Sequence, residues 1–214
     1  MNWFLGHLDE VGSLMATHAV LASAPLLAGL LLAIPLGWLA RRYRLLRTPL
    51  IVGTGLLYTI PSLALFILMP LVLGTGILDP LNVVVALTVY TVALLVRTVS
   101  DGLASVPDDV LQAASAMGIG RVSRFLKVEL PLAVPVISAG LRVAAVSNVS
   151  IVSVAALLGI AQLGSLFTDG FARNYLDPIV VGILACIALA LVFDLLIVAL
   201  TKVATPWLRV GSPA

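Results

Sequence analysis

The residues able to do chemistry are few, and their spacing suits little of it. His7 and His18 are the only histidines, and their placement near the start fits neither a metal site nor a histidine-based triad. Ser147, Ser150 and Ser153 fall in an apolar run with no evident activating base. The single cysteine, Cys186, also lies in an apolar run, can form no intrachain disulfide and reads as a small buried hydrophobe. No Gly-x-x-x-x-Gly-Lys-Ser/Thr loop occurs, so the chain holds no ordinary cradle for a nucleoside triphosphate. What remains is a set of polar side chains inside hydrophobic segments: Arg142, Ser147, Asn148, Ser150 and Ser153 in one, Asp194 in another. Such groups are costly in lipid unless they face protein or water. They are candidates for a pathway across a membrane, or for hydrogen bonds between helices.

Membrane helices must position these groups. At 214 residues, 61% hydrophobic and 10% charged, the chain carries more apolar surface than a soluble domain of its size can bury. Five apolar segments reach or approach the roughly 20 residues needed to cross a hydrocarbon core. They run from Ala19 to Ala40, Leu50 to Leu73, Leu81 to Val96, Leu132 to Leu158 and Ile179 to Thr201. Lipid supplies no hydrogen-bond partners, so each is expected to be a helix, kinked or interrupted at Pro25, Pro35, Pro61 and Pro70. Asp9 and Glu10 stand where a cleavable signal would carry positive charge, so the first span is expected to stay.

Loop charge orients the spans. Arg41, Arg42, Arg44 and Arg47 follow the first, Arg121, Arg124 and Lys127 lie between the third and fourth, and Lys202 and Arg209 follow the fifth. Asp9, Glu10, Asp79, Asp169 and Asp177 lie on the other side, with Arg173 their only clear basic neighbour. The positive-inside rule then places the N-terminus outside and the C-terminus in the cytoplasm. The net charge of +2 is dispersed among these loops, which argues against a nucleic-acid partner. Residues 1–214 read as a single transmembrane domain, with a turn or a short re-entrant helix around Gly159 to Phe171.

The basic loop at about residues 98–131 has its own helical grammar. Ser105 can cap, Pro107 suits a first turn and Asp108 stands at the capping-box position. Val110, Ala113, Ala114 and Met117 recur at offsets of three and four, and Gly118 can end the helix while Gly120 lets the chain turn again. On periodicity alone, this amphipathic helix either lies in the lipid interface or packs on its own bundle.

Gln112, Ala113, Ala114, Gly118, Val128, Leu130 and Pro131 resemble the coupling-loop signature of binding-protein-dependent ABC importer permeases. That signature reads Glu-Ala-Ala, three residues, Gly, nine residues, Ile-x-Leu-Pro, and every spacing is kept here. Gln112 replaces Glu and Val128 replaces Ile. Thr59 to Ala64, Ser138 to Arg142, and Ala155 to Gly159 with Leu163 and Gly164 are similar to the glycine betaine, carnitine and choline branch. Ile160, Ala161 and Gln162 stand where that branch has a glycine-rich run.

The resemblance implies an all-α integral membrane fold of the type I ABC importer permease kind, with about five transmembrane helices and a cytoplasmic coupling helix. Gln112, Ala113, Ala114, Met117, Gly118, Leu130 and Pro131 would couple the chain to an ATPase. Tyr58, Pro61, Ser62, Tyr90, Arg142, Ser147, Asn148 and Ser150 are the candidate translocation pathway. For a quaternary ammonium cargo, Tyr58, Tyr90 and Trp38 could offer cation-binding faces, although ordinary packing or interfacial anchoring is the favoured reading of each. The chain itself would hold no cofactor. A cytoplasmic ABC ATPase dimer would bind ATP and Mg, a second permease copy or paralogue would complete the pathway, and an extracytoplasmic binding protein would deliver cargo. The bacterial cytoplasmic (inner) membrane is the expected location. An amino acid such as methionine is the rival cargo; an ATP-independent channel, a scaffold and a membrane enzyme are the rival classes.

Overall fold

The computed structural model describes residues 2–209. Met1 and residues 210–214 lie outside it, as do the side chains of Asn2, Leu208 and Arg209. A short helix α1 (Asn2–Gly6) precedes α2 (Leu8–Arg42), whose 35 residues span about 52 Å. That exceeds a hydrocarbon core of about 30 Å. The helix therefore starts well before Ala19, with Asp9 and Glu10 in its first turn and Arg41 and Arg42 in its last. These charges sit favourably on the helix dipole. Pro25 and Pro35 do not interrupt it.

The expected second span is two helices. Helix α3 (Arg44–Tyr58) and helix α4 (Ser62–Leu73) meet at 104°. Pro61 holds φ −58° and ψ 133° at the break, an extended conformation that a proline ring favours and that no helix can continue through. Pro70, by contrast, lies inside α4. Helix α5 (Pro80–Ala104) is longer than the expected Leu81 to Val96. Asp79 caps its start, accepting from Leu81 N at 2.9 Å, and Pro80 occupies the first turn. Beyond Val96 the helix continues through a polar turn in which Arg97 and Asp101 pair at 3.7 Å.

The loop helix α6 is Asp108–Ala116, and α7 (Arg121–Arg124) leads through a π-helical turn (Phe125–Glu129) into α8 (Leu130–Val152). A tight turn at Ser153–Leu158 ends that run, and α9 (Ser165–Ala172) and α10 (Leu176–Ala204) follow. Among the described residues, four helical runs are long and apolar enough to cross a membrane, five if the bent pair counts as one span. The segment after Gly159 holds a short helix, α9, packed on α10.

Helix α5 is the central element, packed against α2, α3, α4 and α8. Its most extensive packing is against α2, where a side chain at Gly29 would strike Thr91 and one at Gly37 would meet Val99 at 2.6 Å. Small residues bring backbones together where lipid competes with apolar side chains for the same contacts. One core cluster holds Phe66, Leu87, Tyr90, Val149 and Leu163 near the acidic end, and a second holds Leu95, Val99, Leu103 and Ile137 near the arginine-rich end. Helix α10 leaves Leu184, Ile187, Leu191 and Leu195 exposed, a surface suited to lipid.

Candidate functional site

The loop helix α6 buries one small residue against the protein. Ala114 is 2% exposed, Val110 is half-buried, and Gln112, Ala113 and Met117 are exposed. The apolar stripe is thus divided: Ala114 seats α6 on the protein, while Ala113 and Met117 point away from it. Gly118 ends the helix at φ +75°, with Gly118 N donating to Ser115 O at 3.0 Å and Ile119 N to Ala114 O at 3.2 Å. This paired closure needs the left-handed conformation that glycine adopts without strain. Gly120, at φ −64°, uses no such freedom.

Ser105 does not cap this helix. Its hydroxyl donates to Gly102 O at 2.8 Å and belongs to the end of α5, so α6 starts at Asp108 after Pro107. A side-chain clamp joins α6 to α8 instead. Arg124 donates from Nη1 to Ser115 Oγ at 2.7 Å and from Nε to Glu129 Oε1 at 2.8 Å. Leu130 and Pro131 follow directly as the first turn of α8.

The eight candidate pathway residues separate into distinct places. Tyr58 and Tyr90 meet edge to face at 5.5 Å between ring centroids, beside the α3–α4 break that holds Pro61 and Ser62. The Tyr90 hydroxyl donates to Ile60 O, a carbonyl released by that break. Trp38 packs on Phe125 instead, at 5.6 Å. The three rings therefore form no common cage.

Arg142 and Asp194 pair in two-point geometry, Nε to Oδ1 at 2.6 Å and Nη2 to Oδ2 at 2.9 Å. Ser147 shares with this pair an open cavity of about 380 Å³ between α8 and α10. Asn148 is buried and structural, donating to Thr91 Oγ1 at 3.0 Å and to Ala22 O at 3.3 Å. Ser150 is exposed, and its carbonyl accepts from Ser153 Oγ at 2.6 Å.

Sequence reasoning did not bring His18 and Gln162 together. His18 lies 2.9 Å from Gln162 through Nδ1 and 2.9 Å from Val149 O through Nε2. Gln162 also accepts from Gly164 N at 2.6 Å and donates to Ser153 O at 3.2 Å. The available signal was Gln162 itself, a polar residue in place of the family's glycine-rich run.

A family model described as the binding-protein-dependent transport system inner membrane component matches residues 26–210. The chain belongs to this family. It is a multi-pass membrane permease subunit of an ABC importer. The osmoprotectant import permease protein OsmW of Salmonella typhimurium is 34% identical over 209 residues, covering 96% of this chain and 97% of that protein. The glycine betaine/carnitine/choline transport system permease protein OpuCD of Bacillus subtilis is 32% identical over 194 residues, covering 90% and 81%. A chain of the MetNI methionine ABC transporter in an inward-facing form superposes with a TM-score of 0.82 at 18% identity, covering 96% of this chain and 99% of that one. This likeness bears on the fold alone. The all-helical, type I importer permease architecture implied by the coupling signature is the one observed.

Proposed function

We propose that this permease passes a quaternary ammonium osmoprotectant of the glycine betaine, carnitine or choline type. The supporting observation is that relatives named for those cargoes align along almost the whole chain, OsmW over 96% of it. A separate cytoplasmic ATPase dimer binds ATP and Mg and hydrolyses the ATP. Gln112, Ala113 and Met117, exposed on α6, form the surface that the ATPase grips. An extracytoplasmic binding protein supplies cargo and most of the selectivity. The N-terminus faces outward and the C-terminus the cytoplasm of a bacterial inner membrane, as the arginine-rich loops require.

A second permease copy, or a paralogue, completes the pathway. Arg142 lies twelve residues along α8 from Leu130, about 18 Å into the membrane. Its side chain is 45% exposed and that of Asp194 24%. Charges at that depth need protein or water beside them, so this face meets the partner permease across the route. On nucleotide-driven closure, α6 moves as a lever and, through Arg124, Glu129 and Pro131, α8 shifts the side to which the route opens.

The deciding experiment measures uptake of radiolabelled betaine, choline, carnitine and methionine into proteoliposomes containing the whole complex. ATP-dependent uptake shared and cross-inhibited among the quaternary ammonium compounds is expected. Methionine uptake alone would replace the cargo, and uptake without ATP would replace the mechanism with a channel.

A further inference from the structure

Where α2 leaves the apolar region, a cavity of about 180 Å³ is lined by Trp38, Arg41, Arg42, Arg121, Arg124 and Glu129. Four guanidinium groups from two distant chain segments thus face one space, against a single carboxylate. Glu129 is committed to Arg124 at 2.8 Å. Arg42 stands 5.7 Å over the Tyr43 ring. Arg41 and Arg121 have no hydrogen-bond or ion-pair partner among the described residues. Orientation in the membrane requires basic residues near this end, but not their convergence on a common cavity floored by a tryptophan.

The geometry points to a binding site for a phosphate-bearing anion, held by Arg41 and Arg121 at the junction between the first membrane helix and the coupling loop. Guanidinium forks match phosphate oxygens two at a time. The volume falls below the roughly 300 Å³ at which ordinary small-molecule pockets begin, so it suits one phosphate group rather than a whole nucleotide. Basic pockets at the ends of membrane helices hold anionic lipid head groups by this chemistry, and a free phosphate ion offers the same oxygens. Leu111 of α6 also lines the cavity, so a bound phosphate tethers the coupling loop to the end of α2.

The test uses the permease assembled with its ATPase, as wild type, as the R41Q/R121Q double variant, and as R47Q, an exposed arginine outside the cavity. Each complex is extracted from vesicles of phosphatidylcholine and phosphatidylglycerol in equal parts, and retained phosphatidylglycerol is counted by native mass spectrometry. Inorganic phosphate binding is read separately by phosphorus NMR. Retention weakened about fivefold per arginine removed, with R47Q unchanged and inorganic phosphate unable to displace the lipid, supports the site and assigns a lipid source. Phosphate broadening lost only in the double variant supports the site and assigns the free ion. Equal lipid and phosphate behaviour in all three proteins overturns the proposal. So does loss of ATPase from the double variant with lipid unchanged, since the arginines then serve the ATPase.

Discussion

His18 Nδ1 lies 2.9 Å from Gln162 Oε1, a contact that joins the first membrane helix to the loop after α8 across 144 residues of sequence. The glutamine cannot turn over without loss, because Gly164 N donates to its Oε1 and its Nε2 donates to Ser153 O. The other ring nitrogen faces Val149 O. A neutral ring hydrogen-bonds one of these two oxygens in each tautomer, and the imidazolium bonds both. Gly164 has no space for a side chain, since a Cβ there would run into the Ser153 carbonyl. The family's glycine-rich run is replaced here by a polar staple.

H18L and Q162L should each destabilise the purified protein by about 1–3 kcal/mol, the cost of leaving buried partners unpaired. The double variant should lose less than the sum, with a coupling energy of at least about 0.5 kcal/mol. Chemical unfolding of the four proteins in detergent measures this. Strict additivity would show that the two side chains act independently.

R142A or D194A alone leaves one charge deep in the membrane without its partner, and should abolish most uptake. The exchanged pair R142D/D194R restores the attraction with reversed polarity. Recovery of both assembly and uptake would assign the pair to holding helices together; recovery of assembly without uptake would assign it a polarity-dependent role in the route as well. Blue-native electrophoresis and proteoliposome uptake separate these results.

The membrane fold was legible because hydrophobic length and loop charge are summed over many residues. Its boundaries were less so, since helices run on past the apolar stretch wherever backbone hydrogen bonding remains favourable. Leu8 to His18 and Arg97 to Ala104 extend their helices in this way. Ser105 matched a cap pattern but turned back onto Gly102, a competition between two local hydrogen bonds that sequence spacing does not decide. Pro61 broke its helix whereas Pro25 did not. Tyr90 satisfies a carbonyl at the former break, and that partner comes from another helix. The Gln112 to Pro131 spacing identified the loop, but only packing showed that Ala114 faces inward and Ala113 outward.

G118A should strain the end of α6 by about 1–2 kcal/mol, because φ +75° is left-handed and an alanine Cβ crowds the following carbonyl there. The space around Gly118 is open, so only backbone conformation is affected. A114R, at a position 2% exposed, should lift α6 from its seat. Both variants should insert normally and retain ATP hydrolysis while uptake per ATP falls, more so for A114R. Paired ATPase and uptake assays check this, and unchanged stoichiometry in both would remove α6 from the coupling path.

Y90F removes one oxygen and leaves the ring pair with Tyr58 in place. The Ile60 carbonyl then loses its donor at the α3–α4 break, a local cost of about 1–3 kcal/mol if water cannot replace the hydroxyl. Y58F carries no such cost, since Tyr58 is edge-on to Tyr90 and more exposed. If the break is a structural bend, Y90F should lower the melting temperature and leave the apparent affinity for cargo unchanged. If the tyrosine pair lines the route, Y58A should raise the half-saturating cargo concentration, since a quaternary ammonium group would lose an aromatic face. Melting curves and uptake titrations on the same preparations distinguish a bend that shapes the bundle from one that touches its cargo.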